Sequence, residues 1–272
     1  MGTLSAIIIG IVGSILAQLI FLMIIWIRKN LWSNNKIINM IKLVAILYQN
    51  GLTNFYESRA AYARRETGVA LSDYLALAKH SITIIGLWLG YGVKTEEIAK
   101  KLEQLIKSSN KVNINISLLN PKSVAVDAVA GVVNMSKEEL QISIRDSLFR
   151  LSKMRSRLYD HEKERFNLKV HDFLPMGSAI IIDSNEEYGR FQLELKPYKV
   201  ESHKSFGLEL RGKNNYLYKL NVEAWENIIN NAENFDPEKH IRIENETWQR
   251  LLNESDFFDP KEQIKYLNSC NL

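Results

Sequence analysis

A single cysteine, Cys270, stands in the whole chain, so no disulfide can form within it, and this agrees with a reducing compartment. Neither C-x-x-C nor H-E-x-x-H occurs, and the five histidines are scattered. That excludes the common zinc spacings, and no metal or cofactor is expected. The sequence also lacks G-x-S-x-G and the P-loop, which removes nucleophile-elbow hydrolases and Walker-type nucleotidases. Repeats and low-complexity runs are missing too, so solenoid and disordered-linker readings fall away.

Charge is absent from one long stretch. Leu4 to Ile27 reads LSAIIIGIVGSILAQLIFLMIIWI, with Gln18 its one strongly polar side chain. At about 1.5 Å rise per residue such a helix crosses the roughly 30 Å hydrocarbon core of a bilayer. A signal peptide would carry a basic segment before the apolar run and a small-residue cleavage site after it. Here Trp26-Ile27-Arg28-Lys29 follows instead. The expectation is a single-pass anchor in the lipid bilayer. Arg28, Lys29, Lys36 and Lys42 all follow the span, so the positive-inside rule puts the N-terminus outside and the rest in the cytoplasm, as in a bacterial inner membrane. Trp26 and Trp32 fit the headgroup level. The pairs Gly10/Ser14 and Gly13/Ala17 have the small-xxx-small spacing that lets helices approach closely in lipid. Met1-Gly2 lacks the Ser or Thr at position 6 that myristoylation needs, Ala6 standing there.

The formal charge is +4, unevenly spread. Residues 28–165 hold 22 basic and 13 acidic side chains, and residues 235–272 hold 5 and 8. An anionic lipid surface explains a basic half beside the membrane as readily as nucleic acid does. The organisation expected is an anchor (1–29), a juxtamembrane helix (30–50), an α/β domain (51–235) and a C-terminal helical extension (236–272). The segment KIINMIKLVAILYQ, 36–49, is too short to span a bilayer. It packs on the domain or lies in the interface, and packing is the favoured reading.

Alternating elements follow. Residues 72–80 read as a helix capped by Ser72, and Ile82–Leu89 as a buried strand. Thr95 caps a helix to Ile106, with Glu96 and Glu97 in the dipole-favourable first turn. Val112–Leu119 is a strand stopped by Asn120-Pro121. Ser136-x-x-Glu139 is a capping box, followed by the stripe Leu140, Ile144, Leu148, Leu151, Met154, Leu158. Leu168–His171, Ala179–Asp183 and Phe191–Leu195 read as strands, and 214–234 and 243–253 as closing helices. Hairpin-length links among the later strands imply a mixed sheet covered by helices.

Four phrases, GLTNFYESR (51–59), YLALAKHSITIIGLWLGYG (74–92), INISLLNPKS (114–123) and LKVHDFLPMGSAIIID (168–183), resemble the phospholipase D-like superfamily. The resemblance implies an H-x-K-x4-D signature on the strand after the long helix. Aligned on Asp183, the nucleophilic histidine is replaced by Met176 and the phosphate-binding lysine by Ser178. A thioether cannot form the phosphoenzyme, so the resemblance implies a domain without that catalysis. The triplet His161-Glu162-Lys163 begins like the signature but meets Leu168 where the aspartate belongs.

The candidate ligand-binding residues are Arg59, Trp88, Tyr91, Asn120, Lys122, His171, Ser178, Asp183, His203 and Lys204. Gly86–Gly92 and Asn120–Ser123 follow strands, where ligands bind in open α/β folds, though bare turns fit as well. Arg59, Arg64 and Arg65, interleaved with Tyr56 and Tyr62, form a phosphate-binding patch or a solvated face. His203-Lys204-Ser205 is an anion contact or an edge loop. The leading expectation is a non-catalytic, membrane-anchored sensor of a phosphate-bearing ligand such as a nucleotide. It is homo-oligomeric and, by fold-level analogy, takes part in bacterial antiviral signalling. The alternatives are an active membrane-tethered phosphodiesterase or nuclease, and a membrane scaffold with a protein partner.

Overall fold

The computed structural model describes residues 34–64, 69–89, 94–173, 177–195 and 206–254. The expected anchor, Leu4–Ile27, lies outside the described residues, and among those no helix is long and apolar enough to cross a membrane. The chain divides into two compact units, Met1–Gln49 and Asn50–Leu272. In the first, α1 (Asn34–Gln49) is a helix. Its apolar residues include Ile41, Leu43, Ile46 and Tyr48.

The second unit runs β1 (Leu52–Tyr56), α2 (Arg59–Ala63), α3 (Leu71–Leu75), β2 (Ser81–Gly86), α4 (Thr95–Ser108), β3 (Asn113–Leu119), α5 (Ala125–Val133), α6 (Lys137–Ser156), α7 (Asp160–Lys163) and β4 (Phe166–His171). It continues with β5 (Gly177–Ile182), β6 (Arg190–Leu195), β7 (Phe206–Arg211), α8 (Tyr216–Asn230), β8 (Glu233–Asn234), α9 (Pro237–Ile241) and α10 (Asn245–Glu254). The sheet order is β1-β7-β6-β5-β2-β3-β4-β8. β2, β3 and β4 are parallel; β5, β6, β7 and β1 extend the sheet antiparallel from β2. The fold is α/β with an open mixed sheet.

Alternation along the strands sorts the side chains between two faces. Ile82, Ile84, Ile114, Ile116, Leu118, Phe166, Leu168 and Val170 face one way and pack with α3, α4, α5 and α6. Ile85, Ala179, Ile181, Phe191, Leu193 and Leu210 face the other way, onto Tyr218, Val222, Trp225 and Ile229 of α8. The capping box of α6 forms as expected: Glu139 N–H donates to Ser136 Oγ (3.1 Å) and Ser136 N–H to Glu139 Oε2 (2.8 Å). Every residue of its apolar stripe is buried. Phe149, on another side of α6, receives Trp248 of α10 edge-on at 5.3 Å, which closes a third apolar cluster with α9 and α10.

Four local expectations are corrected. The helix expected over 72–80 stops at Leu75, with Ala70 rather than Ser72 as its N-cap. Beyond it the amides of Lys79, His80 and Ser81 donate to the Asp183 carboxylate instead of continuing a helical ladder. Lys94, not Thr95, is the N-cap of α4; Thr95 Oγ1 donates to Leu89 O at 3.0 Å. The strand expected to Leu89 ends at Gly86. Leu89 is held by Ser147 of α6, whose hydroxyl accepts from Leu89 N–H and donates to Leu89 O. The helix expected over 214–234 stops at Asn230, and β8 occupies Glu233–Asn234; β1, β7, β8 and α5 were not foreseen.

Candidate ligand-binding site

Because β2, β3 and β4 are parallel, their carboxyl ends share one rim, and β5, antiparallel, begins there. That brings together Trp88 after β2, Asn120 and Lys122 after β3, His171 at the end of β4 and Ser178 near the start of β5. Gly86 permits the close approach of Ser178: a Cβ at Gly86 would stand 3.1 Å from Ser178 Cβ.

The rim is tied by its own hydrogen bonds. Asn120 N–H donates to His171 O (2.8 Å) and Asn120 Nδ2 to Asp172 Oδ1 (3.1 Å). His171 Nε2 lies 3.2 Å from Gly86 O. A carbonyl only accepts, so Nε2 carries the proton and Nδ1 holds the lone pair. Nδ1 is buried and makes no hydrogen bond of ordinary geometry. Burial drives the pKa of His171 down to about 4, against the Gly86 and Phe173 backbone groups and Asp172, which favour the charged form. The imidazole is therefore neutral at neutral pH. Through its bond to Gly86 O it clasps β4 to β2.

Beside this clasp lies a cavity of about 60 Å³, whose lining includes Tyr56, Gly86, Trp88, Ser178, Gln192 and Glu194. This is room for a small polar head group or a few waters. Gln192, on β6, is 2% exposed, and neither its amide nitrogen nor its amide oxygen has a hydrogen-bond partner. Leaving such groups unpaired costs about 1–3 kcal/mol each. Gln192 stands opposite Glu209 of β7, but Glu209 is already engaged. Its carboxylate takes Arg211 Nε at 2.9 Å, Arg190 at 3.6 Å and the Tyr62 hydroxyl at 3.5 Å.

The family model for DUF5919, a domain of unknown function, matches residues 53–223. The chain belongs to the DUF5919 family. The match runs from β1 into α8, so this DUF5919 domain takes in the rim and the cavity but not α9 or α10. No curated protein matches. Among solved structures, the domain is similar to phosphatidylserine synthase from Haemophilus influenzae Rd KW20, with TM-score 0.46 and 12% identity, over 79% of this chain and 46% of that one. It is also similar to Nuc, a phospholipase D family member from Salmonella typhimurium, with TM-score 0.36 and 13% identity, over 60% of this chain and 87% of that one. The chain thus spans just under half the length of the first of these.

The DUF5919 domain separates Asp183 from the other candidates. It follows β5 at the opposite end of the sheet, 1% exposed, with φ 51°. Its carboxylate accepts three successive backbone amides at 2.7–2.9 Å. That engagement makes it a brace for the turn before β2, not a ligand contact. Tyr91, Met176, His203, Lys204 and Ser205 lie outside the described residues. Arg59 opens α2, whose N-cap Ser58 accepts from Ala61 N–H, and its side chain is not among those described. Gln192 was missed because FQLEL reads as simple alternation; only the tertiary packing of Tyr56, Leu71 and Trp88 around it shows that its face is covered.

Proposed function

We propose that the chain is a membrane-anchored, non-catalytic phospholipase D-like domain on the cytoplasmic side of a bacterial inner membrane. It binds a phosphate-bearing ligand such as a nucleotide and acts through its anchor in antiviral signalling. The observation that carries the ligand-binding reading is Gln192, a buried amide with an unused donor and an unused acceptor in a cavity at the strand rim. The cavity's amide, hydroxyl and carboxylate suit the neutral hydrogen-bonding part of such a ligand, a base or a sugar hydroxyl, with the phosphate outside it. Three features support the absence of turnover: Met176 and Ser178 at the signature positions, and a rim histidine locked to a backbone carbonyl. Leu4–Ile27 and the basic residues after it support the anchor and its orientation.

The test is a thermal-shift screen of the full chain against nucleotides and phosphodiesters, paired with a hydrolysis assay on the same panel. We expect at least one compound to stabilise the protein, Gln192→Leu to lose that response, and no hydrolysis above background. Turnover abolished by a His203 substitution would overturn the non-catalytic reading. A flat response across the panel would move weight to a scaffold.

A further inference from the structure

Lys122, Arg145 and Arg242 come from three separate elements that are tied together at the turn after β3. Gln141 Nε2 donates to Pro121 O at 2.8 Å, which fixes α6 to this turn, and Arg145 follows one helical turn later on the same face. Lys122 Nζ donates to Lys239 O, which ties the turn to α9. Arg242 ends α9 in the left-handed conformation, φ 56°.

None of the three forms an ion pair with a carboxylate among the described residues, and Arg145 Nε is buried without a hydrogen-bond partner. Three acidic side chains on the neighbouring elements are engaged elsewhere, while Glu138 of α6 and Glu244 after α9 make no ion pair with the cluster. Asp172 accepts from Asn120, Glu233 from Lys239 and His240, and Glu139 from Ser136. The crowding shows in the protonation equilibria. Burial and then Arg242 push Arg145 down, and burial, Arg242 and Arg145 push Lys122 down. Lys122 and Arg242 are exposed and Arg145 is half-buried, and like charges gathered around a half-buried one are unfavourable unless a counter-charge is supplied. Two guanidinium forks and an ammonium match a tetrahedral oxyanion carrying two charges better than they match a carboxylate.

We propose that Lys122, Arg145 and Arg242 form a binding site for a phosphomonoester group, distinct from the Gln192 cavity. The site does not rest on the phospholipase D-like reading. It would stand if the protein proved to be a hydrolase, and could fail while Gln192 still bound a ligand. Its phosphate comes either from a small soluble molecule or from a lipid headgroup.

The full chain in neutral detergent is titrated with inorganic phosphate at constant ionic strength against chloride, and separately with dihexanoyl phosphatidic acid, following thermal unfolding. Millimolar concentrations keep general salt stabilisation small. A saturable rise in Tm of roughly 5 °C is expected. Response to phosphate assigns a soluble source; response to the lipid alone assigns a headgroup. Arg145→Met should raise Tm in chloride, because it removes a half-buried guanidinium whose Nε is unpaired, and should abolish the shift. That pair of effects is opposite to what a purely structural arginine gives. Arg242→Gln, an exposed change that leaves folding intact, should weaken the titrant's midpoint about tenfold and decides the matter if Arg145→Met does not fold. No saturable shift with either titrant, or a shift that survives both substitutions, overturns the site.

Discussion

His171 shows how a residue chosen from sequence as a ligand contact becomes something else once folded. Its folded pKa of about 4 lies below its ordinary 6.5, so the folded state resists taking up the proton that the unfolded chain accepts. The stabilisation is complete above pH 6.5 and is lost as pH falls through the window from 6.5 to 4. The full difference is roughly 3 kcal/mol. Urea unfolding at pH 7 and pH 4.5 should therefore show a smaller acid loss for His171→Gln than for the parent chain, by about 2 kcal/mol; equal losses would deny the buried neutral imidazole. Asp183 is a second such case, since its place at the end of an apolar strand was legible but the three amides it collects were not. Residue type and spacing marked both positions. What each side chain does there depends on partners about 85 and 100 residues away, which local pattern does not contain.

At the scale of elements, legibility follows how local the cause is. The α6 start is decided within four residues by Ser136 and Glu139, and its stripe by a 3.6-residue period, so both were readable. α3 was overestimated because Asp183 draws its following amides away. β7 was overlooked although FGLELR alternates as FQLEL does; its polar members Glu209 and Arg211 satisfy each other. Glu209 is fully buried and holds Arg211, Arg190 and Tyr62 around it. Removing its charge strands the two guanidinium groups; because Arg211 is partly exposed, the cost is discounted to about 2 kcal/mol. Glu209→Gln should lower the urea midpoint accordingly without changing the slope, whereas an unchanged midpoint would show the cluster to be solvated.

For the whole molecule, the reading that matters most concerns association. Under the membrane-anchored reading proposed above, the small-xxx-small pairs would bring two anchors into close contact in lipid and the domains would pair beside them. Two weak contacts in one chain reinforce each other through effective concentration. The full chain in detergent should be a dimer or larger by light scattering, and Gly13→Leu should loosen it several-fold; a monomer at tens of micromolar would refute this. The general architecture, mixed α/β with helices over the sheet, was legible because hydrophobic period reports burial. The cationic cluster and the Gln192 cavity were not, because each is assembled from separate elements.

The pairing of β1 with β7 joins Leu52 to Leu210. During synthesis, the strand that opens the domain therefore has no neighbour until nearly all of the domain has been made, and an unpaired edge is exposed to wrong partners meanwhile. Yet β1 is not held by its edge alone: Tyr56 and Tyr62 stack at 4.8 Å within their own local segment. The beginning of the domain is thus locked late, and a ribosome stalled before Phe206 carries a sheet whose first strand is still waiting for its place.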